Sequence, residues 1–257
     1  MHAENPSGIS LNKFISDTGL CSRRQADALI REGRVCINGA VAALGNRVFS
    51  NDQVTLDGKP LQTEQEKPVY ILLNKPKGIT CTTERHIPDN ILDFVNHSRR
   101  IFPVGRLDKD SEGLIILTSD GDIVNKILRA GNQHEKEYIV SVNRPISKDF
   151  ISQMRRGVPI LGTTTLPCTV HKMNTFTFRI ILVQGLNRQI RRMCAYLGYE
   201  VQSLKRTRIM NLTLDNLSTG KWRDLTDNEL GQIMNKVAHS SKTEEATRLA
   251  YSKKEKN

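Results

Sequence analysis

The sequence lacks several features that mark particular classes of protein. No apolar run approaches the roughly 18–20 residues that a bilayer-spanning helix needs, and the opening stretch MHAENPSG lacks the layout of a secretory signal. The five cysteines are odd in number and widely spaced, without a Cys-x-x-Cys pair, which argues against a disulfide framework or a zinc site. No glycine-rich phosphate loop is present. We therefore expect a cytoplasmic protein that binds neither a metal nor a nucleotide cofactor.

Positive charge is in excess and unevenly distributed. The 257 residues carry a formal net charge of +11, which favours a polyanionic partner through phosphate contacts and counterion release. Residues 1–67 contain eight Lys or Arg and eight Asp or Glu, whereas residues 68–240 contain 25 and 16. The larger segment is therefore expected to contact the polyanion.

Composition suggests how the chain is organised. Residues 9–60 read as a compact unit, and residues 61–68 are polar and end in a proline, as a linker would. Residues 69–238 form the main body, and residues 239–257 are polar enough to predict a disordered tail. In the main body, strand-like and helix-like segments follow one another without a regular βαβ repeat. This order favours an α+β fold with a largely antiparallel sheet.

The unit at 9–60 carries clear helix and turn signals. Residues 11–18 predict a short helix that ends at Gly19, and the stretch SRRQ at 22–25 has the form of a capping box that begins a second helix. A short strand then leads into Asn38-Gly39, a strong hairpin signal, and Asp57-Gly58 repeats it.

This pattern resembles an S4-type RNA-binding domain over nearly the whole unit. The resemblance is carried by LNKFISDTGLCSRRQADALIREGRVCINGAVAALGNRVFSNDQV. It implies RNA contacts by arginines at or near the ends of the second helix, namely Arg23, Arg24, Arg31 and Arg34. Because the unit has no net charge, affinity would depend on where these side chains are placed. The alternative, that they form only a solvated surface, stays open, and an S4-like unit does not reveal a reaction.

The segment PVGRLDKDSEGLIILT at 103–118 places Asp108 between a glycine turn and a strand. Such an aspartate is able to project into a cleft, although turn aspartates usually bond their own backbone. Residues 104–122 resemble the signature motif of the RsuA-type pseudouridine synthases, in which G-R-L-D is followed by S-x-G-L and a T-x-D-G-D turn. The resemblance implies that the catalytic aspartate is Asp108 and that its neighbouring arginine is Arg106.

Later stretches are similar to further motifs of the same family. EKEY at 135–138 matches the second motif with its tyrosine at Tyr138, and QGLNRQIRRM matches a later motif with its arginine at Arg191. LKR resembles the third motif and implies that Leu204 lines a uracil pocket. The resemblance covers roughly residues 9–238. It implies an S4-like domain followed by a pseudouridine synthase domain, with a mainly antiparallel mixed sheet flanked by helices.

Pseudouridylation breaks the N1–C1′ bond of a uridine, turns the uracil and rejoins it through C5, with no redox change. The carboxylate either attacks C1′ or removes the C2′ proton, and both roles require an ionised aspartate. A nearby guanidinium lowers the pKa of a carboxyl group, and we assign this role to Arg191. Helical spacing predicts that Arg191 borders the apolar stripe of its helix, whereas Arg188 and Arg192 lie opposite and face solvent or phosphate.

The substrate base must leave its stack before it reacts. Tyr138 is expected to stack on the extruded uracil, Arg106 to fill the vacated space or hold a phosphate, and Lys75 to contact a phosphate. The resemblance implies a uridine in 23S rRNA near the peptidyl-transferase centre, with a tRNA anticodon-loop uridine as a second candidate, and a monomeric enzyme. A sister enzyme acting on another rRNA uridine and a non-catalytic ribosome assembly factor are the alternatives.

Overall fold

The computed structural model describes residues 8–62, 67–128, 133–238 and 240. The chain forms two compact units, residues 1–67 and residues 68–257. Most of the predicted tail and the middle of the predicted linker therefore lie outside the described residues. Among the helices of the described part, none combines the length and apolar character needed to cross a membrane.

The smaller unit contains two packed helices and short antiparallel strands. In chain order its elements are β1 (Ile9–Ser10), α1 (Leu11–Asp17), α2 (Arg23–Arg31), β2 (Val35–Ile37), β3 (Ala40–Val41), β4 (Arg47–Val48), β5 (Val54–Leu56) and β6 (Lys59–Pro60). Strands β3, β2, β5 and β6 form one sheet in that order, and β1 pairs with β4. Both helices bury apolar residues in the unit's core, among them Leu11, Ile15, Ala26 and Ile30.

The local signals of this unit are confirmed. The Ser22 side chain accepts from the Gln25 N–H while the Gln25 side chain accepts from the Ser22 N–H, so the capping box is complete. Asn38 has a φ of 52° and is followed by Gly39 at 82°, which is the pair of left-handed residues that a tight two-residue hairpin requires.

The larger unit is built on one mixed sheet. The sheet contains β7 (Tyr70–Lys75), β8 (Phe102–Pro103), β9 (Glu112–Thr118), β10 (Lys136–Val142), β13 (Thr169–Lys172), β14 (Thr177–Leu182), β15 (Val201–Ile209), β16 (Leu212–Thr213) and β17 (Trp222–Asp224). Outside the sheet, the unit has β11 (Pro159–Ile160) and β12 (Thr163–Thr164), which pair with each other. Its helices are α3 (Ile91–Val95), α4 (Gly121–Leu128), α5 (Lys148–Arg156), α6 (Gln189–Tyr196) and α7 (Asp227–Val237).

The main path of the sheet runs β13-β14-β10-β15-β9-β7-β17. The neighbours on this path are antiparallel except β15 and β9, which are parallel. The predicted α+β class with a largely antiparallel mixed sheet is therefore confirmed.

Both faces of the central strands are covered by helices. Ile71 and Leu73 of β7 pack into a core with α3, α5 and α6, whereas Tyr70 and Leu72 pack into a second core with α4 and α7. Strand β9 alternates between the two cores in the same way. Burial on both faces explains why these strands read as continuous apolar runs rather than as alternating patterns.

The β9–β15 contact depends on a glycine. Gly113 has a φ of +106° and stands opposite Arg206, and a Cβ at this position would lie 2.2 Å from the Arg206 carbonyl oxygen. No side chain fits that space. The glycine of the S-x-G-L stretch therefore brings the loop that carries Asp108 against β15.

Candidate active site

A cavity of about 430 Å³ lies between the loop that precedes β9, strands β10 and β15, and the segment that leads into α6. Its walls draw residues from stretches of the chain that are far apart in sequence. Among them are six of the twelve residues to which the sequence assigned a role, namely Arg106, Asp108, Tyr138, Arg188, Arg191 and Leu204.

The backbone around Asp108 is fixed on several sides. The Ser111 N–H donates to the Asp108 carbonyl oxygen at 3.0 Å, and the Gly78 N–H donates to the Lys109 carbonyl oxygen at 2.7 Å. The neighbouring Leu107 is buried in the core. The Asp108 side chain itself is 34% exposed. Its carboxylate is therefore held on the cavity wall and stays accessible to a large substrate.

The prediction that Arg191 pairs with Asp108 is wrong. Arg191 Nη2 lies 3.3 Å from the Asp110 carboxylate and donates to the Asp110 carbonyl oxygen at 3.1 Å. Its Nη1 donates to the Val201 carbonyl oxygen. The guanidinium within ion-pair distance of Asp108 is that of Arg188, at 3.7 Å.

The structure also gives the reason. Arg188 is not part of the helix, because α6 begins at Gln189 and Arg188 precedes it with a left-handed φ of 49°. Helical spacing therefore does not describe the direction of its side chain, which meets Asp108 and forms a two-pronged contact with Asp110 at 3.2 Å. Arg191 does border the buried face of α6, as predicted, with a side chain that is 14% exposed.

The arginines also affect Asp110. Partial burial alone would raise the pKa of this carboxyl group. The hydrogen bonds from Arg188, together with the positive charges of Arg191 and Arg188, outweigh burial and lower the pKa. Asp110 is thus an ionised anchor that holds both guanidinium groups beside the cavity.

Tyr138 forms part of the inner wall of the cavity. It lies on β10, is 9% exposed, and stands opposite Arg206 of the adjacent strand. The Arg206 Nη1 lies 3.5 Å from the Tyr138 hydroxyl, and its guanidinium carbon is 5.9 Å from the centre of the ring. Leu204 lies on β15 with Arg206, is 5% exposed and also lines the cavity.

Lys136 and Arg206 line the cavity as well, and sequence reasoning assigned no role to either. A signal for both was present in the strand period. Alternate residues of a strand share a face, so Lys136 lies on the same face of β10 as Tyr138, and Arg206 on the same face of β15 as Leu204. A charged residue in phase with a pocket residue predicts a cation that faces the pocket.

Two predicted RNA contacts lie away from the cavity wall. Lys75 is fully buried, and its ammonium donates to the carbonyl oxygens of Pro76 and Ile79 at 2.8 Å. Its prediction as a phosphate contact is therefore wrong, because the turn after β7 folds back and encloses the ammonium. Arg192 is exposed and bonds Asn187 of the preceding loop.

The arginines of the smaller unit are exposed. Arg34 differs from the other three because its guanidinium makes a two-pronged contact with Asp57, at 2.9 and 2.6 Å, and a further one with Glu32. The Asp57 hydrogen bond is the largest cause that raises the pKa of Arg34. Its charge is therefore largely compensated within the unit.

Comparison with known proteins identifies the family to which the chain belongs. The profile of the RNA pseudouridylate synthase family matches residues 69–196, and that of the S4 domain matches residues 10–54. The chain is 59% identical over 232 residues to the dual-specificity RNA pseudouridine synthase RluF of Salmonella typhi, covering 90% of this chain and 80% of the relative. It is 36% identical to ribosomal large subunit pseudouridine synthase B of Bacillus subtilis, covering 87% and 94%.

A solved structure agrees with these relatives. A crystal structure of a pseudouridylate synthase superposes with a TM-score of 0.65 at 27% sequence identity, and the match covers 88% of this chain and all of the other. The resemblance read from the sequence motifs is thereby confirmed. The chain belongs to the RNA pseudouridylate synthase family, carries an S4 domain, and is an RNA pseudouridine synthase.

Proposed function

We propose that this enzyme converts one uridine of 23S rRNA near the peptidyl-transferase centre to pseudouridine, with a tRNA anticodon-loop uridine as a second substrate. The observation that carries the proposal is the partly exposed Asp108 carboxylate on the wall of a cavity that Tyr138 also lines. The relative from Salmonella typhi is named as dual-specific, which supports two RNA substrates.

Asp108 is the proposed catalytic carboxylate. Its oxygen either forms a bond to C1′ or takes the C2′ proton, and in both routes the N1–C1′ bond breaks with its electron pair leaving on the uracil. Arg188 supports the ionised carboxylate from 3.7 Å. Arg191 positions this arrangement through its contacts with Asp110.

Tyr138 is proposed to stack on the extruded uracil and keep it in place while it turns. The ring is available for this because Tyr138 lines the cavity beside Leu204. Arg106, exposed at the same cavity, would fill the space that the base leaves or hold its phosphate. Base extrusion costs a few kcal/mol, and we propose that Arg23, Arg24 and Arg31 of the S4 unit add RNA-binding energy that offsets this cost.

The direct test is the release of tritium from RNA that contains 5-tritiated uridine. The wild type should release tritium from 23S rRNA taken from cells that lack the gene, whereas Asp108→Asn should release none. Asp89→Asn is the matched control, because Asp89 is an exposed carboxylate paired with Lys109 and does not line the cavity. Equal release by the wild type and Asp108→Asn would remove Asp108 from the mechanism.

The alternatives are separated by where the product appears. Mapping pseudouridines in rRNA and tRNA from cells without the gene should reveal one unmodified site near the peptidyl-transferase centre and one in an anticodon loop. A missing pseudouridine elsewhere in rRNA would identify a sister enzyme instead. If no pseudouridine is missing but ribosome assembly is delayed, the assembly-factor alternative is favoured.

We further propose that the enzyme works as a monomer in the cytoplasm, without a cofactor. The net charge of +11 suits direct binding to rRNA. Sedimentation at assay concentration tests the oligomeric state, and activity after exhaustive treatment with a chelator tests the absence of a metal.

A further inference from the structure

Two cations of the cavity have no acidic partner. Lys136 is 6% exposed and Arg206 is 4% exposed, and both line the cavity. Among the residues that the structure describes, no carboxylate lies within ion-pair distance of either side chain. Buried cations are normally paired, because an uncompensated buried charge is costly. Such an arrangement is expected where a negative charge arrives during function.

The contacts that these side chains do make are all with neutral groups. Arg206 Nε donates to the Leu114 carbonyl oxygen at 2.6 Å, and its Nη2 is buried without a partner among the described residues. The Lys136 ammonium donates to the carbonyl oxygens of His134 and Val183 at 3.1 and 3.3 Å. Carbonyl dipoles orient a cation but do not cancel its charge. The inner wall of the cavity therefore remains positive.

Arg206 also determines the direction of the Tyr138 hydroxyl proton. A guanidinium has donors only, so in the 3.5 Å contact the phenol oxygen accepts from Arg206 Nη1. The phenol proton must then point elsewhere. A hydrogen-bond donor and a positive charge thus stand side by side at the inner wall.

The reaction creates a negative charge that such a wall suits. When the N1–C1′ bond breaks, both electrons stay on N1, so uracil leaves as an anion while Asp108 becomes neutral by bonding C1′ or by taking the C2′ proton. Later, C5 bonds C1′ while Asp108 regains its negative charge by leaving C1′ or by returning the proton to C2′; the C5 proton then passes to water, and N1 takes up a proton from water. Between these steps the negative charge resides on the detached base.

We propose that Arg206 and Lys136 stabilise the detached uracil anion, and that Arg206 also positions the Tyr138 hydroxyl as a donor to it. This inference rests on the proposed uridine chemistry at Asp108 but is separable from it. By contrast, Arg188 and Arg191 are compensated by Asp108 and Asp110, so they serve the carboxylate rather than the base.

The experiment compares two leaving groups. Matched RNAs carry either uridine or 5-fluorouridine at the target position, and the loss of the original nucleoside in a single turnover is followed by mass spectrometry. Fluorine withdraws electrons and makes the base anion more stable, so it needs less help from the enzyme. Arg206→Gln and Lys136→Gln should slow cleavage of the N1–C1′ bond of uridine by about 10²–10³-fold. They should slow cleavage of the same bond in 5-fluorouridine by roughly tenfold or less.

Matched variants separate charge from structure. Arg208 lies on the same strand as Arg206, but its guanidinium pairs with Glu135 and Glu137 and does not line the cavity. Arg208→Gln should therefore leave both rates unchanged. Arg206→Lys keeps the charge and should recover much of the lost uridine rate. RNA affinity and urea unfolding, measured for each variant, report whether it is folded.

The inference is overturned if folded Arg206→Gln and Lys136→Gln slow uridine and fluorouridine cleavage by the same factor, because a merely structural role predicts equal effects. It is also overturned if neither variant is slower than the wild type. A wild type that cleaves neither RNA would instead contradict the proposed function, and this inference would fall with it.

Discussion

Arg188 lies 3.7 Å from the Asp108 carboxylate, whereas Arg191, in the first turn of α6, pairs with Asp110 at 3.3 Å. The two arginines therefore divide between them the support of the loop that carries Asp108. The exposed one faces the proposed catalytic group, and the buried one fixes the backbone beside it. Their removal should have different consequences.

Arg191→Gln should destabilise the fold more than Arg188→Gln. The Arg191 side chain is 14% exposed and bonds two backbone carbonyls, so its loss removes two charge-assisted hydrogen bonds and the packing of a largely buried side chain, which costs about 1–3 kcal/mol. The Arg188 side chain is 43% exposed, and its loss should cost under about 1 kcal/mol. Urea unfolding measures both, and equal destabilisation would contradict this division.

Activity should follow a different order from stability. Arg188→Gln removes the guanidinium next to Asp108 and should lower the single-turnover rate by about tenfold or more, at nearly full stability. Arg192→Gln is the control, because Arg192 is exposed, its guanidinium bonds Asn187, and it does not line the cavity. A full rate for Arg188→Gln would show that Asp108 needs no direct ion pair.

Gly113→Ala should be among the most destabilising single-methyl changes in the larger unit. The added Cβ would lie 2.2 Å from the Arg206 carbonyl oxygen, at a φ of +106°, so β9 and β15 would have to separate. We expect a loss of several kcal/mol. Gly231→Ala is the matched control, since nothing lies near its Cβ within α7, and it should stabilise the helix by up to about 1 kcal/mol.

Activity should decline above about pH 8. Burial, followed by the charge of Arg206, lowers the pKa of Lys136 to about 8, so Lys136 loses its proton above that value. The single-turnover rate at saturating RNA should therefore fall with rising pH. In Arg206→Gln the fall should move to higher pH because one depressing charge is gone, and Lys136→Gln should lack it. A fall at the same pH in all three proteins would contradict this assignment.

The pH dependence of folding stability distinguishes this loss of activity from a loss caused by unfolding. A lysine in the unfolded chain titrates near about 10.4, so between about pH 8 and that value the unfolded state binds more protons. In that window Lys136 makes folding more favourable as pH rises. Activity and the contribution of Lys136 to stability should therefore change in opposite directions, which urea unfolding at several pH values checks.

The S4 arginines should differ in their effect on salt dependence. Arg23→Ala, Arg24→Ala and Arg31→Ala should each reduce the slope of log affinity against log salt by roughly 0.7–0.9. Arg34→Ala should change it less, because Asp57 and Glu32 already pair with that guanidinium. Rates at saturating RNA should stay at the wild-type value in all four. Unchanged slopes in the first three would mean that these side chains remain solvated in the complex.

Local signals predicted most of the elements from sequence. The capping box predicted at Ser22 is complete in the structure, because such a box depends on residues only three apart. The largely antiparallel sheet was also predicted from the order of the elements. What could not be foreseen is which strands are parallel neighbours, since the β9–β15 contact joins residues about a hundred positions apart.

In the site, too, contacts between residues far apart in the chain could not be predicted. Sequence motifs identified residues that do line one cavity, but not which guanidinium meets which carboxylate. Arg188 was treated as helical because nothing local marks its left-handed φ of 49°. Lys75 was treated as accessible because its enclosure depends on carbonyls of the following turn. Among the described residues Arg206 has no carboxylate partner, which depends on its tertiary neighbours and has no local signature.

The order of the cavity residues along the chain has a consequence for biosynthesis. Asp108 is translated well before Arg206, yet both line one cavity, and β9 must pair with β15 to form it. A growing polypeptide therefore cannot assemble the cavity until residues 201–209 have emerged from the ribosomal tunnel. Until then the newly made chain lacks the part of the cavity wall that carries Leu204 and Arg206.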